Sequence, residues 1–221
     1  MLGFYLPRQY LTIVLIYTSD FIMPAIYNGK QKKKNDKSRP KEKEVKRPRT
    51  YKLGELFDEH LKCEFEKHDV HAVMKTMVRE PYIHHVPTLT GGIGCLGVHN
   101  FYKDEFINRM PKDTKLVRIS RTIGKDQVVD EVLLNFTHDR EIDFMLPRVP
   151  PTGKHVELPH IIITKFNRGK IEHKHIYWDQ ASLLAQIGLL DPQRLPVAGI
   201  EQARMLLELT RETESRSATG E

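Results

Sequence analysis

The spacing of apolar residues changes once along this chain, from a helical to a strand-like repeat. From Tyr51 to about residue 110, apolar side chains recur every three or four residues, which is typical of amphipathic helices. This pattern predicts a first helix through Leu53–Phe65 and a second through Val70–Val78, which Pro81 ends. A third helix is predicted to contain Phe101–Ile107.

Beyond Pro111 the apolar residues alternate with polar ones, which indicates β-strands. The segments that show this alternation are 115–123, 127–138, 156–166 and 170–178. A helix at 179–189 and one more after Gly199 complete the pattern. Helices followed by consecutive strands predict the α+β class, here a cone-shaped, curved antiparallel sheet covered by the N-terminal helices. The open mouth of such a cone can hold a small molecule.

The segment TGGIGCLGVHNFY, residues 90–102, has glycines at Gly92, Gly94 and Gly97 in the spacing of a dinucleotide-binding turn. That site needs a buried strand before the glycines and an acidic residue at the end of the next strand. Neither is present, since Asp113 precedes its strand. We therefore predict a flexible loop that leads into a helix, and no nucleotide cofactor.

The net charge of +6, taken alone, suggests a nucleic-acid partner, but the distribution of charge along the chain does not support one. Residues 30–49 contain eleven Lys or Arg and three acidic residues, and the remainder is close to neutral. We predict a basic flexible linker at 28–50, a folded domain at 51–192 and a tail with a short helix at 193–221. No specific nucleic-acid binding is expected from the domain.

Residues 1–27 form an apolar extension that includes the run YLTIVLIY, residues 10–17. This run is shorter than the roughly 20 apolar residues that span a membrane. Three interpretations stay open: a weak signal or membrane anchor, an extension that docks elsewhere, and a segment with no folded role. Cys63 and Cys95 do not form a disulfide framework, so we expect a reducing, cytoplasmic location, with membrane association through residues 1–27 as the alternative.

The last two predicted strands form a hairpin whose register can be derived from its turn. A turn centred on Arg168–Gly169 pairs Thr164 with His173 and His160 with Tyr177. The residues placed on one face are His160, Ile162, Thr164, His173, His175, Tyr177 and Asp179. The residues placed on the opposite, solvent-facing side are Glu157, Lys165, Lys170, Glu172 and Lys174. The first face has the mixture of apolar and polar groups that a small-molecule pocket needs.

Residues 151–192, with the sequence PTGKHVELPHIIITKFNRGKIEHKHIYWDQASLLAQIGLLDP, resemble the closing hairpin and terminal helix of SnoaL-like proteins. These form the polyketide-cyclase branch of the nuclear transport factor 2-like superfamily. YIHHVP at 82–87 and FYKDEF at 101–106 fit the same family, so the resemblance spans about residues 53–192. It implies an α+β cone, a homodimer formed through the outer sheet face, and cofactor-free cyclase, isomerase or dehydratase chemistry on a small apolar carbonyl compound.

In this family an aspartate at the end of the last strand is the acid/base, and Asp179 matches that position. An aspartate directly before QASLLAQ is equally suited to cap the helix, so both roles stay open. We predict His160 as its catalytic partner. We predict that the ligand contacts His173, His175, Tyr177 and one of the adjacent pair His84 and His85, with His84 favoured.

No carboxylate–histidine motif with known ligand spacing is present, so no metal is predicted. The alternative to an enzyme is a ligand-binding or dimerisation module of the same fold, because this fold supports many functions.

Overall fold

The structure is a computed structural model that describes residues 50–219, with only the backbone at 214, 216, 218 and 219. Its helices are α1 (Leu53–Phe65), α2 (Val70–Lys75), α3 (Gly94–Asn100, which continues as a π-helix over Phe101–Phe106), α4 (Gln180–Gln186) and α5 (Glu201–Thr219). Its strands are β1 (Met77–His85), β2 (Thr90–Ile93), β3 (Lys115–Ile123), β4 (Gln127–Thr137), β5 (His155–Asn167) and β6 (Lys170–Trp178).

The six strands form one curved, unclosed sheet in the order β2-β1-β6-β5-β4-β3. The α+β cone predicted from the sequence is confirmed. The sheet is mixed and not wholly antiparallel, because β1 pairs parallel to β6 while every other pairing is antiparallel. The two strands are distant in sequence and no hairpin turn joins them, so nothing local requires them to run in opposite directions.

The second predicted helix ends earlier than expected. Asp69 caps α2 by accepting a hydrogen bond from the backbone N–H of Ala72, and the helix stops at Lys75. Met77 already belongs to β1, and Pro81 lies inside that strand. The pairing of β1 with β6 is irregular between Met77 and Tyr82, and an irregularity tolerates the missing N–H of a proline.

The β5–β6 hairpin has the predicted turn but a different register. Arg168 and Gly169 both have positive φ, as a two-residue hairpin turn requires. The pairing then shifts: Phe166 is opposite Ile171, but Lys165 is opposite His173, so Glu172 is an extra residue in β6. A one-residue shift transfers every later side chain to the other face of the sheet.

The shift reverses the predicted faces of β6. Lys174, Ile176 and Trp178 are buried on the concave face, opposite Thr164, Ile162 and His160 of β5. The structure therefore corrects two sequence predictions. His173, His175 and Tyr177 lie on the outer face, and Lys174 lies inside the cone.

The glycine-rich segment forms a short edge strand and the start of α3, and not a flexible loop. The chain after the glycines returns across β2, so that a side chain at Gly92 would collide with the backbone carbonyl of Gly97. This close packing explains why position 92 is a glycine.

The expected helix after Gly199 is α5, which spans 19 residues. Ser182 of α4 donates a hydrogen bond to the Gly199 carbonyl, and Ala203 is fully buried where α5 joins the domain. The predicted extension at 1–27 and all but the last residue of the predicted linker lie outside the described residues. Within residues 50–219, no helix has the length and apolar character needed to cross a membrane.

Candidate functional site

The cone has a cavity between α1, α3 and the concave face of the sheet. The centres of water molecules can occupy a volume of about 50 Å³ in this cavity. The cavity therefore has room for a few water molecules. Most of the lining is apolar, and Phe101, Phe144 and Trp178 supply large aromatic surfaces. Five polar side chains also reach it: Glu64, His85, Tyr102, His160 and Lys174.

Three of these polar side chains meet at one carboxylate. The Tyr102 hydroxyl donates to Glu64 Oε1 at 2.5 Å, and Lys174 Nζ donates to the same oxygen at 2.6 Å. The side chains of Glu64 and Lys174 are only 1% and 6% exposed, so the ion pair is removed from solvent. The three residues come from α1, the π-helix and β6, so their hydrogen bonds connect these three elements.

His60 of α1 completes this buried network. Its Nδ1 lies 2.6 Å from Thr76 Oγ1, and the Thr76 hydroxyl donates to the Val73 carbonyl. On the other side of the ring, Nε2 lies 2.8 Å from Glu64 Oε1 and 3.2 Å from Lys174 Nζ, so His60 contacts both members of the ion pair.

Burial and neighbouring charges shift the pKa of each group in the network. Burial would raise the pKa of Glu64, but Lys174 and His60 outweigh burial and hold it well below its ordinary value. Burial, reinforced by Glu64, raises the pKa of Tyr102. Burial lowers the pKa of His60. The ion pair of Glu64 with Lys174 thus leaves this network without net charge.

His85 and His160 form a second polar region on either side of Trp178. The ring centroids of His85 and His160 lie 5.7 Å and 5.3 Å from that of Trp178. Burial lowers the pKa of His160 to about 4. Burial, aided by the charges of Lys174 and His160, lowers the pKa of His85 to about 3. Both imidazoles are neutral at neutral pH.

The predicted catalytic pair is not brought together around the cavity. His160 lines it, and its Nδ1–H donates to the Leu158 carbonyl at 2.9 Å. Asp179 does not line it. Its Oδ1 accepts from the backbone N–H of Ala181 at 2.9 Å, and its Oδ2 accepts from Gln202 of α5 at 3.1 Å. These contacts match the capping interpretation of Asp179.

The predicted ligand-binding residues fall outside the cavity. In β1 the inward side chain is that of His85, which is 4% exposed, and not the favoured His84. His173 and His175 stack on the outer face at a centroid distance of 4.6 Å. Tyr82 stacks on His173, and its hydroxyl lies 3.0 Å from His175 Nε2.

Sequence reasoning missed most of the polar cavity residues. One signal was available, because His60 and Glu64 continue the apolar stripe of α1 through Leu53 and Phe57. Polar residues on a buried stripe need partners inside the protein. Lys174 carried no such signal, since its inward position depends on the shifted hairpin register.

Two larger depressions at the surface adjoin the cavity. One, of about 310 Å³, shares Glu64, Phe65 and Met110 with the cavity and is also lined by Lys112 and Arg140. The other, of about 400 Å³, shares Phe65 and Leu116. The half-buried Phe65 side chain thus lines all three spaces.

No group of three or more His, Cys, Asp or Glu side chains within residues 50–219 is arranged to hold a metal ion.

Solved structures share this fold at low sequence identity. A protein named a SnoaL-like polyketide cyclase from Jannaschia sp. CCS1 superimposes with a TM-score of 0.51 and 17% identity, covering 62% of this chain and 94% of that one. Another of that name from Shewanella putrefaciens CN-32 gives 0.51 and 12%, covering 63% and 87%. AclR from Streptomyces galilaeus, named a hydroxylase, gives 0.51 and 17%, covering 65% and 89%.

No protein-family model and no curated protein matches the chain. The structural likeness shows the fold alone: the chain has the α+β cone of proteins named SnoaL-like polyketide cyclases, as the hairpin motif predicts. Proteins of this fold carry names for different reactions, so the fold does not fix the chemistry.

Proposed function

We propose that the chain binds a small, mostly apolar molecule inside the cone. The observation that carries this proposal is the aromatic cavity of the cone, into which a few polar side chains converge. The described space of about 50 Å³ is smaller than an organic ligand needs, so binding requires Phe65 and Met110 to move toward the adjoining depressions. Movement of two side chains is a modest change for ligand access.

Two neighbouring residues of β5 offer a matched test. Ile162 lines the cavity, whereas Ile161 is 37% exposed on the outer face. Ile162→Phe fills the cavity, and Ile161→Phe adds the same atoms outside it. A panel of uncharged compounds with six to ten carbons is screened by saturation-transfer NMR.

We expect binding to wild type and to Ile161→Phe, and loss of binding in Ile162→Phe. The proposal is wrong if no panel compound binds, or if the bound compounds are unaffected by Ile162→Phe. Far-ultraviolet circular dichroism confirms that both variants are folded.

A second candidate function is cofactor-free acid–base catalysis on the bound molecule, of the cyclase, isomerase or dehydratase type. The observation that favours it is His160, whose Nδ1–H is fixed by the Leu158 carbonyl and whose Nε2 is therefore a proton acceptor beside the cavity. Names of SnoaL-like polyketide cyclases among proteins with this fold support the same proposal.

A benzisoxazole tests the catalytic candidate, because its ring opening by a base is followed by absorbance. General bases typically contribute a hundredfold or more, and a weakly basic imidazole belongs at the low end. We expect about a hundredfold slower ring opening in His160→Gln and an unchanged rate in Asp179→Asn. A slower rate in Asp179→Asn alone would instead restore Asp179 as the base, and equal rates in all three proteins would reject catalysis at this site.

A further inference from the structure

The polar groups at the Trp178 end of the cavity differ in kind from those at the Glu64 end. The donors at the Glu64 end have partners there: the Tyr102 hydroxyl donates to Glu64, and Lys174 contacts Glu64 and His60. The indole N–H of Trp178 donates to Gln180 at 2.6 Å. A ligand at the Trp178 end therefore meets few free donors.

His160 presents an acceptor at this end. Its Nδ1 carries the proton, because it hydrogen-bonds to the carbonyl oxygen of Leu158. In a neutral imidazole the other nitrogen then holds a lone pair, so Nε2 accepts and does not donate.

His85 presents a second acceptor. Its Nδ1 is buried and has no hydrogen-bond partner within residues 50–219. A neutral imidazole can carry its proton on Nε2, and the unpartnered Nδ1 then offers a lone pair to a ligand hydroxyl.

A buried acceptor without a partner costs free energy, and a ligand that supplies a donor removes that cost. We infer that the cavity selects a ligand whose polar end is a hydroxyl group, donated to His85 Nδ1 or His160 Nε2, while the aromatic side chains pack around its apolar body. A carbonyl ligand, as the family resemblance implies, would find acceptors where it needs donors. This inference rests on the proposed binding function and specifies its ligand class.

Three compounds of similar size and shape separate the possibilities: cyclohexanol, cyclohexanone and methylcyclohexane. Trp178 is the only tryptophan in the chain and lines the cavity, so its fluorescence reports binding, and a titration of free tryptophan corrects for the weak ultraviolet absorption of cyclohexanone. The full chain is titrated with each compound. One hydrogen bond to a buried group corresponds to about a tenfold difference in Kd.

We expect cyclohexanol to bind about tenfold more tightly than either other compound. The preference for the alcohol should be reduced in His85→Leu, in His160→Leu or in both, while methylcyclohexane still binds. The wild-type comparison needs no variant, so the test survives if a substitution prevents folding.

Equal or tighter binding of cyclohexanone would overturn the hydroxyl assignment and leave the binding function intact. A preference for cyclohexanol that persists in both variants would overturn the role of these two histidines. Failure of all three compounds to bind would refute the binding function itself, and the inference with it.

Discussion

Replacement of Lys174 by Met tests whether the buried ion pair is a structural requirement of the cone. Met keeps the length of the side chain but removes its charge, and Glu64 then lies in an interior where its side chain is 1% exposed. Removal of one partner of a buried pair typically costs about 3–5 kcal/mol. Because Tyr102 still donates to Glu64, we expect a loss near the lower end, about 3 kcal/mol.

The pH dependence of this loss has a definite sign. In wild type the pKa of Glu64 is held low, so its contribution to stability is complete above the ordinary value of 4.5 and is lost as the pH falls below it. In Lys174→Met, burial without the ammonium raises the pKa of Glu64. The variant therefore loses stability as the pH rises above 4.5, by at most about 1.4 kcal/mol per pH unit.

Urea denaturation of the full chain, followed by Trp178 fluorescence and circular dichroism, measures both effects between pH 5 and pH 8. The difference between wild type and Lys174→Met should grow as the pH rises over this interval. Adding Glu64→Gln to the variant should recover part of the loss, because no uncompensated charge then remains.

Lys165→Met is the matched control on the same hairpin. Lys165 also forms an ion pair, with Asp126 at 2.7 Å, but the two side chains are 30% and 54% exposed. Solvent screens such a pair, so this control should change stability far less. A loss below about 1 kcal/mol in Lys174→Met, or a difference from wild type that shrinks toward pH 8, would refute the reasoning about the buried pair.

Three further predictions concern the cap, the buried histidines and the outer face. Asp179→Ala should lower the free energy of unfolding by about 1 kcal/mol, while Asp179→Asn, which keeps a capping oxygen, should lower it much less. Equal losses of the two variants in urea denaturation would contradict the role of Asp179 as a helix cap. Burial holds His85 and His160 neutral, with pKa values of about 3 and about 4. The free energy of unfolding of wild type should therefore decline as the pH falls below 6.5, and it should decline less steeply in His160→Gln. Parallel plots of unfolding free energy against pH for the two proteins would contradict neutral burial of His160. We also predict a homodimer through the outer sheet face, where Tyr177 is 40% exposed. Light scattering should show a dimer for wild type and a monomer for Tyr177→Asp. If wild type is monomeric at tens of micromolar, this prediction is wrong.

The elements of the fold follow closely from local patterns in the sequence. The boundaries of α1, β3 and β6 coincide with the predicted segments. The hairpin turn at Arg168–Gly169 was also predictable, since Gly at this position favours a tight turn. The motif around that hairpin was sufficient to predict the cone.

The composition of the cavity was not predictable in the same way. Whether β6 turns Lys174 or His173 inward depends on a single extra residue, Glu172, and both alternations along this strand mix polar with apolar side chains. The local sequence therefore does not distinguish the two registers. Packing does, because the observed register buries Ile176 and Trp178 in the core.

The polar network depends still more on tertiary structure. Glu64 and Lys174 are 110 residues apart, and only the docking of α1 on the concave face brings their charges to 2.6 Å. Periodicity reports which side of an element is buried, and so it could indicate that His60 and Glu64 are inside. It cannot report which partner from a distant element meets them, since that depends on how helices and sheet pack around a shared interior.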